Sequence, residues 1–209
     1  MARLALDATE RPWALTGADL ARAREAGLDD AGILHAILQT SLFGHLNRIA
    51  DAVGVEADYP DSFGAPRVEP STPPYLWPEC VPDPGARRPI DLASRVGAVD
   101  LLAAWRKYSL DRDSTVLTRR HRAVIAYAVA VRLGDMSVTQ TERHTPLETV
   151  LVDLADVVTL APWRLGPEAF APLRAAGLEE DAQVFDAVAT ASSCTVFSRI
   201  AVTLAALAR

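Results

Sequence analysis

Three ionisable side chains lie close together in a short segment between two predicted helices. Asp135, Glu142 and His144 fall between Gly134 and Thr145. Two carboxylates and an imidazole are groups that commonly transfer protons in enzymes, so this set is typical of general acid–base chemistry. The alternative is a solvent-exposed loop whose acids cap the neighbouring helices. The segment is therefore the first candidate for a catalytic site.

Histidines also occur on a predicted buried helix. His45 shares a helical face with Leu38 and Ile49, and His35 lies towards the same apolar side. Histidines in such positions are usually satisfied core residues, and the alternative is that His45 lines a substrate pocket. Because no carboxylate pair accompanies the histidines on one helix, we predict no metal site and no cofactor.

Two arginines, Arg48 and Arg199, occur on otherwise apolar helices. A buried guanidinium needs hydrogen-bonding partners. The first interpretation is a structural ion pair with an acid of a neighbouring helix. The second is that one of the two arginines binds a substrate carboxylate.

Basic residues crowd the start of another predicted helix at Arg119–Arg122. Cations at that end oppose the helix dipole, so they indicate either a structural or interface role or an anionic ligand. His121 shares a face with Val124 and Ile125 and should point inward. Because this helix leads into the acidic loop, His121 and Tyr127 are candidate substrate-binding residues.

The two cysteines, Cys80 and Cys194, are far apart in the sequence. Their number excludes a disulfide-rich scaffold and a cysteine-based zinc site. Cys194 lies between Ser193 and Thr195 in an apolar stretch, where we expect an inert, buried thiol. Whether the two cysteines approach each other stays open.

Composition narrows the functional class. The chain has 209 residues, half of them apolar, and a net charge of −6 with a pI near 5.2, which argues against a nucleic-acid partner. The N-terminal residues lack the apolar core of a signal peptide. The longest uncharged apolar run, Ala123–Val131, is far shorter than the ~18 residues that a membrane span needs. We expect a cytoplasmic protein with a small-molecule substrate and no membrane or nucleic-acid partner.

Helical spacing and capping residues predict an all-α fold. Nothing alternates with strand period for long enough to suggest a sheet. The long helix that begins near Asp30 carries apolar residues on nearly every side, which predicts burial all round. The predicted helices run from Thr16 to Gly27, from Asp29 or Asp30 to about Val53, from Asp91 to about Tyr108, from Ser114 or Thr118 to Leu133, from Thr145 to about Leu160, from Gly166 to Gly177, and from about Glu180 to Leu207.

A proline-rich segment interrupts this helical pattern. Its dense prolines remove backbone donors and forbid helix, and Tyr75–Trp77 within it suggests packing on the surface. We divide the chain into a first helical repeat at 1–56, a connecting segment at 57–90, and a central helix pair with a second repeat at 91–209. Together they should form one integrated unit.

The predicted repeat is based on short sequence motifs that match between the two halves of the chain. Pro12-Trp13-Ala14-Leu15 matches Pro162-Trp163-Arg164-Leu165, and Ala26-Gly27-Leu28 matches Ala176-Gly177-Leu178. Further along, Arg48 matches Arg199. Each copy is predicted to be a short helix, a tight turn and a long buried helix, which could pack about a pseudo-twofold axis.

These sequence motifs resemble those of a known family. The unit Pro-Trp-x-Leu, then Ala-Gly-Leu-Asp-Asp, then Asn-Arg-Ile-Ala-Asp-Ala-Val-Gly resembles the AhpD-like alkylhydroperoxidase and carboxymuconolactone decarboxylase superfamily, above all its peroxidase-related branch. The resemblance covers residues 11–55 and, more loosely, 95–205. It implies a helical AhpD-like bundle and homo-oligomeric assembly.

The redox motif of that family is missing here. Its members carry Cys-x-x-Cys-x-x-x-His after a long helix, with a glutamate about three turns earlier. Aligned on Leu133-Gly134, the glutamate position holds Ala123, the cysteine positions hold Asp135 and Val138, and the histidine position holds Glu142, with His144 as a substitute. The resemblance thus implies the fold without the dithiol chemistry.

Three functions remain open. The first is a cofactor-free acid–base enzyme of the decarboxylase, isomerase or lyase type, with Asp135, Glu142 and His144 as catalytic residues. His45, Arg48, His121, Tyr127 and Arg199 would then bind the substrate. The second is a divergent alkylhydroperoxidase-like antioxidant enzyme that uses Cys80 or Cys194. The third is a non-catalytic small-molecule-binding or assembly protein.

Overall fold

The computed structural model describes residues 2–55, 99–112, 114, 117–135, 137–138, 140–141, 143 and 145–207. Within these ranges the chain is helical and contains no strand, so the predicted all-α class is confirmed there. Short 3-10 turns at Pro12–Ala14, Pro162–Arg164 and Pro167–Phe170 join the helices. The α-helices are α1 (Ala2–Glu10), α2 (Gly17–Glu25), α3 (Asp30–Ala52), α4 (Val99–Leu110), α5 (Arg119–Leu133), α6 (Pro146–Leu160), α7 (Ala171–Ala175) and α8 (Asp181–Leu207).

The predicted helix ends coincide with capping residues. The Thr118 hydroxyl accepts the His121 N–H at 3.2 Å at the start of α5, and the Thr145 hydroxyl accepts the Glu148 N–H at 3.1 Å at the start of α6. Gly134 ends α5 with φ at 72°, a left-handed conformation that favours glycine. The connecting segment 57–90, the residues 91–98 and Cys80 lie outside the described residues.

Helix α1 had no sequence prediction. It covers nine residues and buries Leu4 and Ala8. Asp7 lies between Arg3 and Arg11, whose guanidinium nitrogens are 2.8 and 2.9 Å from its oxygens. So short a helix contains too few periodic positions for its pattern to be distinctive, and it depends on tertiary packing for stability.

Helix α3 differs from its prediction. Its first half is buried at Ile33 and Ile37, but Leu42, Phe43 and Leu46 are 41%, 61% and 52% exposed. The prediction that this helix is buried nearly all round is therefore wrong for its second half. Spacing shows that apolar residues cover every side of a helix, but it does not show that another element covers each side.

Helix α8 is the centre of the described structure. It packs against α3, α4, α5 and α6 and contributes to two buried apolar clusters, one with α5 and α6 and the other with α1, α2 and α3. Its segment Asp181–Ala205 is long and apolar enough to cross a membrane, but 83% of the most apolar window is buried inside the protein. Small residues along this helix, including Ala187 and Ala191, are fully buried.

Matching local features occur in the two halves of the chain. The 3-10 turns Pro12–Ala14 and Pro162–Arg164 each follow a helix, and Gly27 and Gly177 adopt φ of 93° and 109° before the long helices α3 and α8. The superposition of the two halves as one repeat stays a prediction.

Candidate functional site

A cavity of about 240 Å³ lies between α4, α5, α8 and the segment after α5. Its walls combine charged, hydroxyl-bearing and apolar side chains with one thiol. The lining residues from the helices α4, α5 and α8 and their ends are Arg106, Leu110, Asp111, Arg119, Ala123, Ala126, Cys194, Phe197, Ser198 and Ala201; those from the segment after α5 are Asp135, Ser137, Val138 and Thr141.

The end of α5 places Asp135 in this wall. Gly134 takes up the left-handed conformation, and the Asp135 N–H donates to the Ala130 carbonyl at 2.9 Å. This closing bond turns the chain back across the end of the helix. Asp135 therefore lies beside α8 and is only 4% exposed.

The Asp135 carboxyl is held by hydroxyl and amide donors. Its Oδ1 accepts the Ser137 N–H at 3.0 Å and the Ser137 hydroxyl at 2.6 Å. The Ser198 hydroxyl of α8 hydrogen-bonds the same carboxyl. Burial raises the pKa of Asp135 above its ordinary value, and these hydrogen bonds and the charge of Arg106 offset part of that rise. The carboxyl can therefore bind and release a proton at a higher pH than an exposed aspartate.

Cys194 faces the same cavity from the middle of α8. The thiol is 2% exposed, and burial raises its pKa to about 12. The thiolate is the nucleophilic form, and so high a pKa leaves almost none of it at neutral pH. The predicted burial of Cys194 is confirmed.

Of the predicted catalytic residues, the structure brings Asp135 into the cavity. Glu142 and His144 lie outside the described residues, so their place in the site stays a prediction. Tyr127 lies in a second groove of about 660 Å³ between α5 and α6, beside the Arg132–Asp156 ion pair. Burial raises the pKa of Tyr127.

His45 and His121 are not among the described residues that line the cavity. The Ser192 hydroxyl donates to the His45 carbonyl at 3.1 Å and lies 2.9 Å from His45 Nδ1. His121 Nδ1 instead accepts the Thr118 N–H at 3.4 Å and so completes the cap of α5. Burial lowers the pKa of both imidazoles.

Arg48 and Arg199 bind backbone carbonyls. Arg48 Nε donates to the Thr159 carbonyl at 3.4 Å, and Arg199 Nε donates to the Thr9 carbonyl at 3.1 Å. Both carbonyls lie in the last turn of a helix, where they have no partner within the helix and where the dipole favours a cation. The expected ion pair with a neighbouring acid is not present among the described residues.

The burial of these two arginines has an electrostatic cost. It lowers the pKa of Arg48 to about 10 and that of Arg199 well below the ordinary value, and the charge of Arg48 lowers that of Arg199 further. Neither side chain is among the described residues of the cavity wall.

The basic start of α5 is mainly structural. Arg122 is 1% exposed and donates to Asp186 at 2.6 Å and to the Thr190 hydroxyl at 2.7 Å. Arg120 binds the buried Glu148 at 2.6 Å. Pairing with acids of α6 and α8 offsets the unfavourable position of these cations at a helix N-terminus.

Several lining residues were not predicted from the sequence, among them Ser198, Arg106 and Leu110. Ser198 follows Cys194 by one helical turn, which puts both on one face of α8. Arg106 and Leu110 are related in the same way on α4. The helical spacing was visible in the sequence, but nothing there showed that these faces of α4 and α8 enclose the residue that follows α5.

No protein-family model, no curated protein and no solved structure matches this chain.

Proposed function

We propose that this protein is an acid–base enzyme of the decarboxylase, isomerase or lyase type, which acts on a small organic molecule in the cavity beside Asp135. One observation carries the proposal: a carboxyl that is 4% exposed, with a raised pKa, forms part of the wall of a cavity. Carboxyls with such perturbed pKa values are common in catalytic sites because a proton donor or acceptor works best near the ambient pH.

The hydrogen bonds to Asp135 would fix the direction of proton transfer. Both Ser137 donors bind Oδ1, so the second oxygen is the one that Ser137 leaves available to exchange a proton with the substrate. In the ionised form Asp135 would remove a proton from the bound molecule and could return it to another atom of that molecule. The Ser198 hydroxyl would stabilise the carboxylate while it is charged.

The location of the cavity supports a relation to the AhpD-like and carboxymuconolactone decarboxylase superfamily. Ala123, Asp135 and Val138, the positions aligned with the family's glutamate and two cysteines, all line it. The paired 3-10 turns and the positive-φ glycines support the repeat. In the proposed scheme the site keeps its place in the fold, while proton transfer replaces thiol chemistry. Glu142 and His144 would take part in the same proton transfer.

The proposal can be tested without knowledge of the product. Incubation of the protein with a panel of small carbonyl and carboxylic acids in D₂O, followed by mass spectrometry, reports every proton that the enzyme exchanges or inserts at carbon. We expect incorporation with at least one compound and its loss in Asp135→Asn. Asp111→Asn is the matched control because Asp111 lines the same cavity but is exposed.

The outcomes separate the three functions. Incorporation that persists in Asp135→Asn, or that occurs with no compound, would contradict the acid–base proposal. A ligand that raises the melting temperature without turnover would favour a binding protein. Peroxide reduction that is lost in Cys194→Ser or Cys80→Ser would favour a thiol peroxidase, which the high pKa of Cys194 opposes.

We also propose that the protein forms a homo-oligomer through α3. Leu42, Phe43 and Leu46 are exposed on it, and no Asp, Glu, Lys or Arg occurs between Asp30 and Arg48. An uncharged helical surface of this kind is typical of a protein interface.

A further inference from the structure

Among the described residues, four charged side chains line the cavity: Arg106, Asp111, Arg119 and Asp135. Arg119 donates to the Asp111 carbonyl at 2.6 Å. Arg106 forms no ion pair or hydrogen bond with another described residue, although its charge acts on both Asp135 and Cys194 in the inner wall. Arg106 is exposed, so its guanidinium lines the cavity from the solvent side and keeps its donors for a ligand.

The uncharged part of the wall combines apolar side chains with hydroxyl groups and one thiol. Leu110, Phe197 and three alanines face the space. The volume of about 240 Å³ lies below the roughly 300 Å³ at which pockets for drug-sized ligands begin. The cavity can therefore hold only a small molecule, and part of that molecule would contact carbon.

We infer that the substrate is a small organic monoanion, a carboxylate, whose charged end is bound by Arg106 and whose apolar part lies against α5 and α8. A guanidinium binds a carboxylate through two parallel N–H donors, which gives both affinity and orientation. This inference deepens the proposed function and rests on it, because it concerns the ligand of the same cavity.

A cationic ligand fits the same walls less well. The Asp135 carboxyl already accepts two hydrogen bonds from Ser137 and one from Ser198, and its burial disfavours the ionised form. Arg106 presents a guanidinium cation to the cavity. Asp111 also lacks a described ion-pair partner, but of these two exposed charges only that of Arg106 acts on the inner wall at Asp135 and Cys194.

Pairs of acids and their neutral amides provide the test. Isothermal titration of the full-length protein would compare butyrate with butyramide and benzoate with benzamide. We expect at least one acid to bind about tenfold more tightly than its amide, the gain typical of a charge-assisted hydrogen bond. Arg106→Gln should remove this preference. Lys107→Gln is the matched control, since it removes an exposed cation from the next residue of α4.

Two further variants locate the binding and separate it from catalysis. Ala126→Leu places bulk in the cavity wall and should abolish binding of both members of a pair. Asp135→Asn should keep the preference for the acid while losing deuterium incorporation. If Asp135→Asn still incorporated deuterium while the acid preference behaved as expected, the proposed function would be wrong and the anion site would stand. Equal binding of acids and amides, a preference that survives Arg106→Gln, or no binding of any acid would overturn the inference.

Discussion

Replacement of the proposed catalytic acid should make the protein more stable. Asp135 is 4% exposed, and burial raises its pKa above the ordinary 3.8. Asn has nearly the same shape and no charge to desolvate. Its carbonyl oxygen can keep both bonds from Ser137, because both donors bind the single atom Oδ1. The amide nitrogen can donate to the Ser198 hydroxyl, which can rotate to accept.

The size of the gain follows from the linkage between protonation and folding. Between pH 3.8 and the raised pKa, the folded chain holds the Asp135 proton while the unfolded chain has released it. Proton binding at Asp135 therefore stabilises the folded wild type fully below the ordinary pKa. This stabilisation is lost as the pH rises through the raised pKa. For every pH unit by which the folded-state pKa exceeds the ordinary value, the wild type loses about 1.4 kcal/mol, which the neutral Asn side chain would not lose.

Urea denaturation of the wild type and Asp135→Asn between pH 4 and pH 8 measures this directly. The difference in unfolding free energy should grow in favour of Asn with a slope of at most about 1.4 kcal/mol per pH unit and then become constant. Asp111→Asn should show little change, because Asp111 is exposed. A variant that is less stable at neutral pH, or a difference independent of pH, would refute the reasoning.

Three more predictions concern other parts of the fold. In a Cys80→Ser background, Cys194 should not react with Ellman's reagent in the native state and should react fully after denaturation; rapid native reaction would contradict its burial and its pKa of about 12. Arg122→Ala should lower the unfolding free energy by about 2 kcal/mol in urea titrations, because it removes a buried guanidinium that binds Asp186 and Thr190, although Arg112 still pairs with Asp186; a loss below about 1 kcal/mol would show that these bonds contribute little. Light scattering should report at least a dimer for the wild type and a smaller species for Phe43→Glu, since Phe43 is 61% exposed on α3, and a wild-type monomer at micromolar concentration would argue against self-association.

Local sequence signals predicted the helices accurately where a cap marks the end. Thr118, Thr145 and Gly134 set their helix boundaries through bonds to residues no more than four positions away, so the relevant partners lie in the same stretch of sequence. Helix α1 has a weaker pattern, and its stability comes from the buried Leu4 and Ala8. Such a helix is formed by contacts with distant elements and cannot be recognised from local spacing alone.

Part of the candidate site was also predictable. The position of Asp135 directly after α5 identified it as a candidate. Its partner Ser198 and the cation Arg106 come from helices far away in the sequence. Burial decides the pKa of Asp135, and burial depends on those helices.

For Arg48 and Arg199, too, the sequence determined one part of the answer and the tertiary structure the other. The sequence established that two apolar helices each carry a cation at matching positions, and that such a cation needs a partner. It could not decide between an acid, a substrate and a backbone group, because any of these can satisfy a guanidinium. The tertiary structure brings each arginine to the last turn of another helix, at Thr159 and at Thr9. The sequence by itself determined that these buried guanidinium groups need hydrogen-bond acceptors. Only the packing of distant helices decided which acceptors they bind.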